Sequence, residues 1–151
     1  RWEGYAAERQ RLLSALSGKV ENVVFLATDH HANLVNDARF QTLESGGPQN
    51  SGILEVATGP VATRTFAQQI NDTVGDPSAG TLLHDAFLKP PPPDGVGMQC
   101  AAMDQSSYAQ VEVNATALTI EMLDAAGNPV QDTGSRDSPG PACAPIVIAR
   151  Q

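Results

Sequence analysis

The chain has 151 residues, 41% of them apolar and 17% charged, and a net charge of −8. That length supports one domain with a buried core, and that apolar content excludes a disordered chain. Its nine basic residues are scattered, which argues against a nucleic-acid module, and no run approaches the roughly 18 apolar residues of a membrane span. An acidic protein still binds phosphate where bound cations reverse the local field.

Residues 5–17 predict a helix. Leu12, Leu13 and Leu16 share one face at helical spacing, Glu8, Arg9 and Arg11 face water, and Gly18 stops it. The run Asn22-Val23-Val24-Phe25-Leu26-Ala27 predicts a short strand covered on both faces, and polar residues begin abruptly at Thr28. Ligand sites gather at the carboxyl ends of strands in open sheets of this kind. Residues 36–50 are polar and Gly-containing and read as a loop. Residues 52–58 read as a second strand, ended by Gly59-Pro60, and 65–70 as a short helix. From 71 to 97 the pattern is irregular, and Pro90-Pro91-Pro92-Pro93 predicts an extended, polyproline-like surface path.

The character then changes. Alternation over 108–113 and again over 117–122 predicts two antiparallel neighbours joined by Asn114-Ala115-Thr116. Ala126-Gly127-Asn128-Pro129 reads as a turn and 145–149 as a last strand. The chain is thus α/β at its start and β-rich toward its end, as in the final third of a layered sandwich. Cys100 and Cys143 lie in Gly/Pro/Ala-rich surroundings, unlike the close pairs of metal knuckles. They are read as a disulfide, which implies an oxidising compartment, with two free thiols as the alternative.

The chemistry concentrates in Phe25-Leu26-Ala27-Thr28-Asp29-His30-His31-Ala32-Asn33. In extended backbone, residues i and i+2 share a side, so Asp29 and His31 would point together while His30 points away. A carboxylate and an imidazole converging at a strand end make half of a site for a hard or borderline cation. The alternative is a polar loop in which Asp29 caps a turn and the histidines are solvated. Asn33 would bond phosphate or help close that turn. Neither a Gly-x-Ser-x-Gly elbow nor a glycine-rich nucleotide loop is present.

The same segment resembles the strand followed by Gly-Asp-x-His of PhoD-like alkaline phosphatases and PhoD-type phospholipases D, with Thr28 where the family usually has Gly. Trp2-Glu3-Gly4-Tyr5, followed by Glu8-Arg9 and a leucine-bearing helix, resembles the family's Trp-Asp-Gly-Tyr segment. Tyr108 and its alternating strands resemble the family's C-terminal β segment. The likeness is specific from Trp2 to Asn33 and loose beyond Gly59. It implies an α/β chain forming the C-terminal part of a layered αββα metallophosphoesterase sandwich. Residues 1–60 would then be the metal-site strand-loop unit, 61–105 an irregular Pro-rich connection and 106–151 the terminal strands.

The implied activity is hydrolysis of phosphate esters by metal-activated water, phosphodiesterase or phospholipase D-like, or alkaline phosphatase-like. Asp29 and His31 match the family's late metal-ligand pair. The implied cofactors are divalent or trivalent metal ions, iron and/or calcium, with zinc or manganese as alternatives. The earlier ligands would come from an N-terminal portion of the same enzyme, cleaved or on a separate chain. The substrate would be a phosphate ester or phospholipid, met outside a bacterial cell. His30 is the candidate catalytic donor to a leaving group, with a solvated or backbone-bonded ring as the alternative. Glu55, His84, Asp85, Asp94 and Asp104 are spare donors without motif spacing, and His84 reads as structural. Trp2 and Tyr5 would line a substrate cleft or pack the helix. The rival from another class is a non-catalytic secreted β-rich binding module.

Overall fold

Helix α1 (Ala6–Leu16) buries Leu13, leaves Leu12 and Leu16 half-buried, and is followed by Gly18 in the left-handed region at φ 68°. These observations come from a computed structural model, which describes residues 5–40, 48–134 and 140–150. Trp2-Glu3-Gly4 and the centre of the expected 36–50 loop lie outside the described residues.

Strand β1 (Val24–Ala27) pairs in parallel with β3 (Asn50–Ala57), and their last residues, Ala27 and Ala57, are partners. Both strands therefore deliver their following loops to the same end of the sheet. Between them in sequence, β2 (Asn33–Arg39) runs antiparallel to β3 and also to β4 (Cys100–Ala102), giving the order β1-β3-β2-β4. The link 28–32 must cross over the end of β3 to reach β2. Residues 36–39 are strand, not the expected loop. Asn36 and Asp37 are poor strand formers, but pairing with Glu55 and Leu54 of β3 and burial of the neighbouring Val35 override that local preference. The two-sided cover expected for β1 is absent too. It is an edge strand, and Leu26 is 58% exposed.

The second sheet is antiparallel: β5 (Tyr108–Val113), β6 (Ala117–Leu123) and β7 (Ile146–Ala149), in that order. One hydrophobic cluster joins Val35, Val56, Cys100 and Ala102 of the first sheet to Ile120, Met122 and Ile146 of the second. Another joins Ala32, Ala101 and Met103 to Ala67 and Leu88, flanked by Leu34, Phe66 and Ile70. Leu34 and Val35 are successive residues of β2, so the two clusters lie on opposite faces of the first sheet. Cys100 and Cys143 form the expected disulfide, with Cα atoms 5.6 Å apart and 43 residues of sequence separation. Closing a loop of that length stabilises by about 4 kcal/mol in the chain-entropy model.

Helix α2 (Phe66–Val74) begins with a capping box: Thr65 and Gln68 each bond the other's main-chain N–H. The segment expected to be irregular is in fact ordered. Helix α3 (Ala79–Leu83) runs directly into a π-helical turn (His84–Leu88), and β4 follows. Gly80 permits this packing, because a Cβ there would lie 2.9 Å from that of Ala67 on α2. The prolines do not run extended either. Asp94 and Gly95 both donate to the Pro91 carbonyl at 3.1 Å, which folds the stretch into a turn. The described residues form a mixed α/β arrangement with two sheets and few helices. No helix among the described residues is long and apolar enough to cross a membrane.

Candidate functional site at the end of β1

Just past Ala27 the backbone is not extended, contrary to the expectation. Asp29 (φ 71°) and His31 (φ 55°) both occupy the left-handed region, so the chain turns sharply between β1 and β2. Alternation therefore gives no ground for placing the two side chains together. Asp and His enter that region more readily than branched residues do. Thr28 is not among the residues with positive φ, which is why a threonine is tolerated at this place.

The side chains differ in what engages them. The His31 ring presents Nδ1 to the Arg64 carbonyl at 2.6 Å, with Thr63 Oγ1 at 3.2 Å from the same atom. The main-chain carbonyl of His31 accepts from Phe66 N–H at 2.7 Å. His30 is exposed, and its Nδ1 lies 3.1 Å from the Thr28 carbonyl, which matches the backbone-bonded alternative. Asp29 is exposed, and its carboxylate has no hydrogen-bond or ion-pair partner among the described residues.

The loop 58–65 that grips His31 is itself fixed at both ends. Thr65 is buried and caps α2. At the other end sits Asn33, fully buried at the start of β2 rather than in a turn. Its Oδ1 accepts from Gly59 N–H at 2.9 Å and from the Ser107 hydroxyl, while its Nδ2 has no partner among the described residues. Ser107 N–H in turn donates to the Pro60 carbonyl at 3.0 Å. A side chain at Gly59 would collide with this knot, since its Cβ would come 2.8 Å from Asn33 Nδ2. The loop's role escaped the sequence reading. The Thr65-x-x-Gln68 spacing announces its end, but nothing local links Asn33 to a serine 74 residues away.

A family model described as PhoD-like phosphatase matches residues 1–122. The chain belongs to the PhoD-like phosphatase family. The match runs through α1, the Asp-His-His turn, the gripping loop and most of β6, well past Gly59, where the motif likeness was loose. Membership points to hydrolysis of phosphate esters, and PhoD-like phosphatases are in general metal-dependent. No curated protein and no solved structure matches the chain.

Against a PhoD-like metal centre, the donors present fit as part of a set. An unengaged carboxylate and an imidazole with one nitrogen tied to a carbonyl suit a hard or borderline cation. Among the described residues, no group of three or more His, Cys, Asp or Glu is placed to hold a metal ion. The spare donors are used elsewhere or stand alone. Glu55 lies within β3, opposite Phe25 and Asn36. Asp94 is in the proline turn, and Asp104 accepts from Thr133 Oγ1 at 3.4 Å. His84 is 5% exposed, and its two ring nitrogens lie 2.7 Å from Asp85 and from Asp132. Lys89 closes that network at 2.6 Å from Asp132. Both cysteines are consumed by the disulfide. Tyr5 is 67% exposed, so it does not pack the helix against the sheet.

Proposed function

We propose that this chain carries the late metal-ligand pair, Asp29 and His31, of a metal-dependent phosphoesterase. The remaining donors come from an N-terminal portion of the same enzyme, cleaved but associated or present as a separate chain. One observation supports this reading above the others: two residues past Asp29, whose carboxylate has no partner among the described residues, the His31 ring is held at one nitrogen by a carbonyl, while the other candidate donors weighed are spent or isolated. A bound cation would neutralise phosphate oxygens and lower the pKa of a water for in-line attack.

What this chain contributes is binding and orientation. Asp29 would supply negative charge to a bound cation, and His31 a nitrogen donor held by a loop that is fixed at both ends. His30, next to them and exposed, is the candidate proton donor to the leaving oxygen. The fold reading that accompanies this is the C-terminal part of an αββα sandwich. Within it, residues 1–60 form the metal-site unit, 61–105 the connection that adds β4 to the first sheet, and 106–151 the second sheet. The cations are iron and/or calcium, with zinc or manganese as alternatives. The substrate is a phosphate ester or phospholipid, with diesters favoured over monoesters. The disulfide supports action in an oxidising compartment, outside a bacterial cell. A non-catalytic binding module would give no reason for the Asp-His-His turn.

The test is side-by-side turnover of a nitrophenyl phosphate monoester, its diester and a choline phospholipid, with and without chelator. The chain is assayed together with any segment that co-purifies with it. Turnover that a chelator abolishes, and that Asp29→Ala and His31→Ala also abolish, is the expected result. Activity that survives thorough metal removal would overturn the mechanism.

A further inference from the structure

The loop that wraps His31 does more than cover it. We infer that residues 58–65 are the orienting frame of His31: they hold its proton on Nδ1, so that Nε2 is the nitrogen offered to a cation, with Thr63 as a positioning residue. The inference rests on the metal-ligand reading of His31 and assigns it an atom and a tautomer.

The proton follows from the chemistry of the partner. A backbone carbonyl only accepts, so a ring nitrogen 2.6 Å from the Arg64 oxygen must be the one that bears hydrogen. Thr63 Oγ1, 3.2 Å from the same nitrogen, then serves as a second acceptor of that N–H. In a neutral ring the lone pair is left on Nε2. The grip is also mechanical. Thr63 and Arg64 hold the ring while Phe66 N–H holds the main-chain carbonyl of His31 at 2.7 Å, so imidazole and backbone are clasped by one short stretch. That stretch cannot drift, being capped into α2 at Thr65 and knotted to Asn33 and Ser107 through Gly59 and Pro60. Arg64 acts through its main chain alone. Its side chain pairs with Asp72 at 2.7 Å on the surface, 69% and 52% exposed, and is dispensable for the grip. A ligand whose tautomer is preset loses less freedom on meeting a cation, and removing such a partner typically costs 10- to 100-fold in metal affinity.

Two measurements test this separately from the metal reading. Long-range ¹H–¹⁵N correlation spectra of the histidine-labelled, metal-free protein at mildly alkaline pH should show His31 as the Nδ1–H tautomer. An Nε2–H tautomer, or a fast average of the two, would overturn the inference. Equilibrium dialysis with Zn²⁺ should then show affinity about 10-fold weaker in Thr63→Val, restored by Thr63→Ser, and unchanged within about 2-fold in Arg64→Ala. Equal weakening in Arg64→Ala and Thr63→Val would also overturn it. If His31→Ala binds Zn²⁺ as tightly as the wild type, the metal reading fails while the tautomer assignment stands. If His31→Ala loses Zn²⁺ but the tautomer is reversed, the orienting frame alone fails.

Discussion

Two groupings of histidine and aspartate lie in this chain, and they do opposite things with the same functional groups. Around His84 the imidazole is fully engaged: both ring nitrogens meet carboxylates, Lys89 meets Asp132, and Asp132 also accepts from the Ala101 N–H of β4. This network ties the π-helical turn to the edge of the first sheet and to the segment after β6. It leaves neither ring nitrogen of His84 for a ligand. Around His31, the imidazole is held by a carbonyl at one nitrogen, and Asp29 has no partner among the described residues. Residue type alone therefore does not make a metal site. The difference is whether the protein's own groups have already satisfied the donors.

That contrast predicts a clean separation of phenotypes. The largest effect on stability belongs to the closed grouping. Asp132→Ala strips a buried imidazole and Lys89 of their shared carboxylate and should cost about 3 kcal/mol in urea unfolding, with metal stoichiometry per folded molecule unchanged. Next comes Gly59→Ala, at the knot that anchors the gripping loop. The added methyl must displace Asn33, and the cost should be about 2 kcal/mol. Because the loop shifts with it, Zn²⁺ affinity should fall in the same variant, linking the two readouts as Asp132→Ala does not. At the open grouping, Asp29→Asn, which keeps a residue at ease with the left-handed backbone, should change unfolding by no more than about 0.5 kcal/mol while metal binding and turnover fall. A large destabilisation there would mean Asp29 has structural partners after all.

The smallest effect is outside both groupings and calibrates them. The Asp124 carboxylate accepts N–H groups in its turn, Asn128 N–H first, with further help from the Asn128 side chain and Ala126 N–H. These bonds favour the charged form and hold its pKa below the ordinary carboxylate value. A depressed folded pKa means the stabilisation is complete above the unfolded value of about 4 and fades as pH falls through the lower folded value. Titration followed by carboxylate NMR should place the Asp124 midpoint below that of an unstructured aspartate. A midpoint above it would contradict the turn's bonding.

Much of this was legible in the sequence, and the exceptions share a cause. Strands β6 and β7 place Ile120, Met122 and Ile146 on the first sheet, so period two survives in the residue pattern; β5 carries the same alternation although only its Ala109 packs on that core and Val111 and Val113 stay exposed. Helix α1, β1 and β3 carry equally local signals. Strands β2 and β4 do not. Asn36 and Asp37 look like loop, and Cys100-Ala101-Ala102 looks like nothing in particular, because both segments are strands by virtue of distant partners. The π-helical turn was hidden for the same reason, since His84 is held there by Asp132, 48 residues away. At the site, the Asp29-His31 pair was visible as residue types at a strand end. Its left-handed backbone and its grip by Thr63 and Arg64 are consequences of how two loops meet, which no single segment encodes.

A cation shared by Asp29 and His31 is what a crystal would reveal most directly. Crystals of the chain, grown with any co-purifying segment and soaked in Mn²⁺ or Zn²⁺, should show an anomalous scattering peak about 2.0–2.3 Å from both His31 Nε2 and an Asp29 carboxylate oxygen. A peak confined to other residues, or a fully loaded protein with those two side chains vacant, would contradict it.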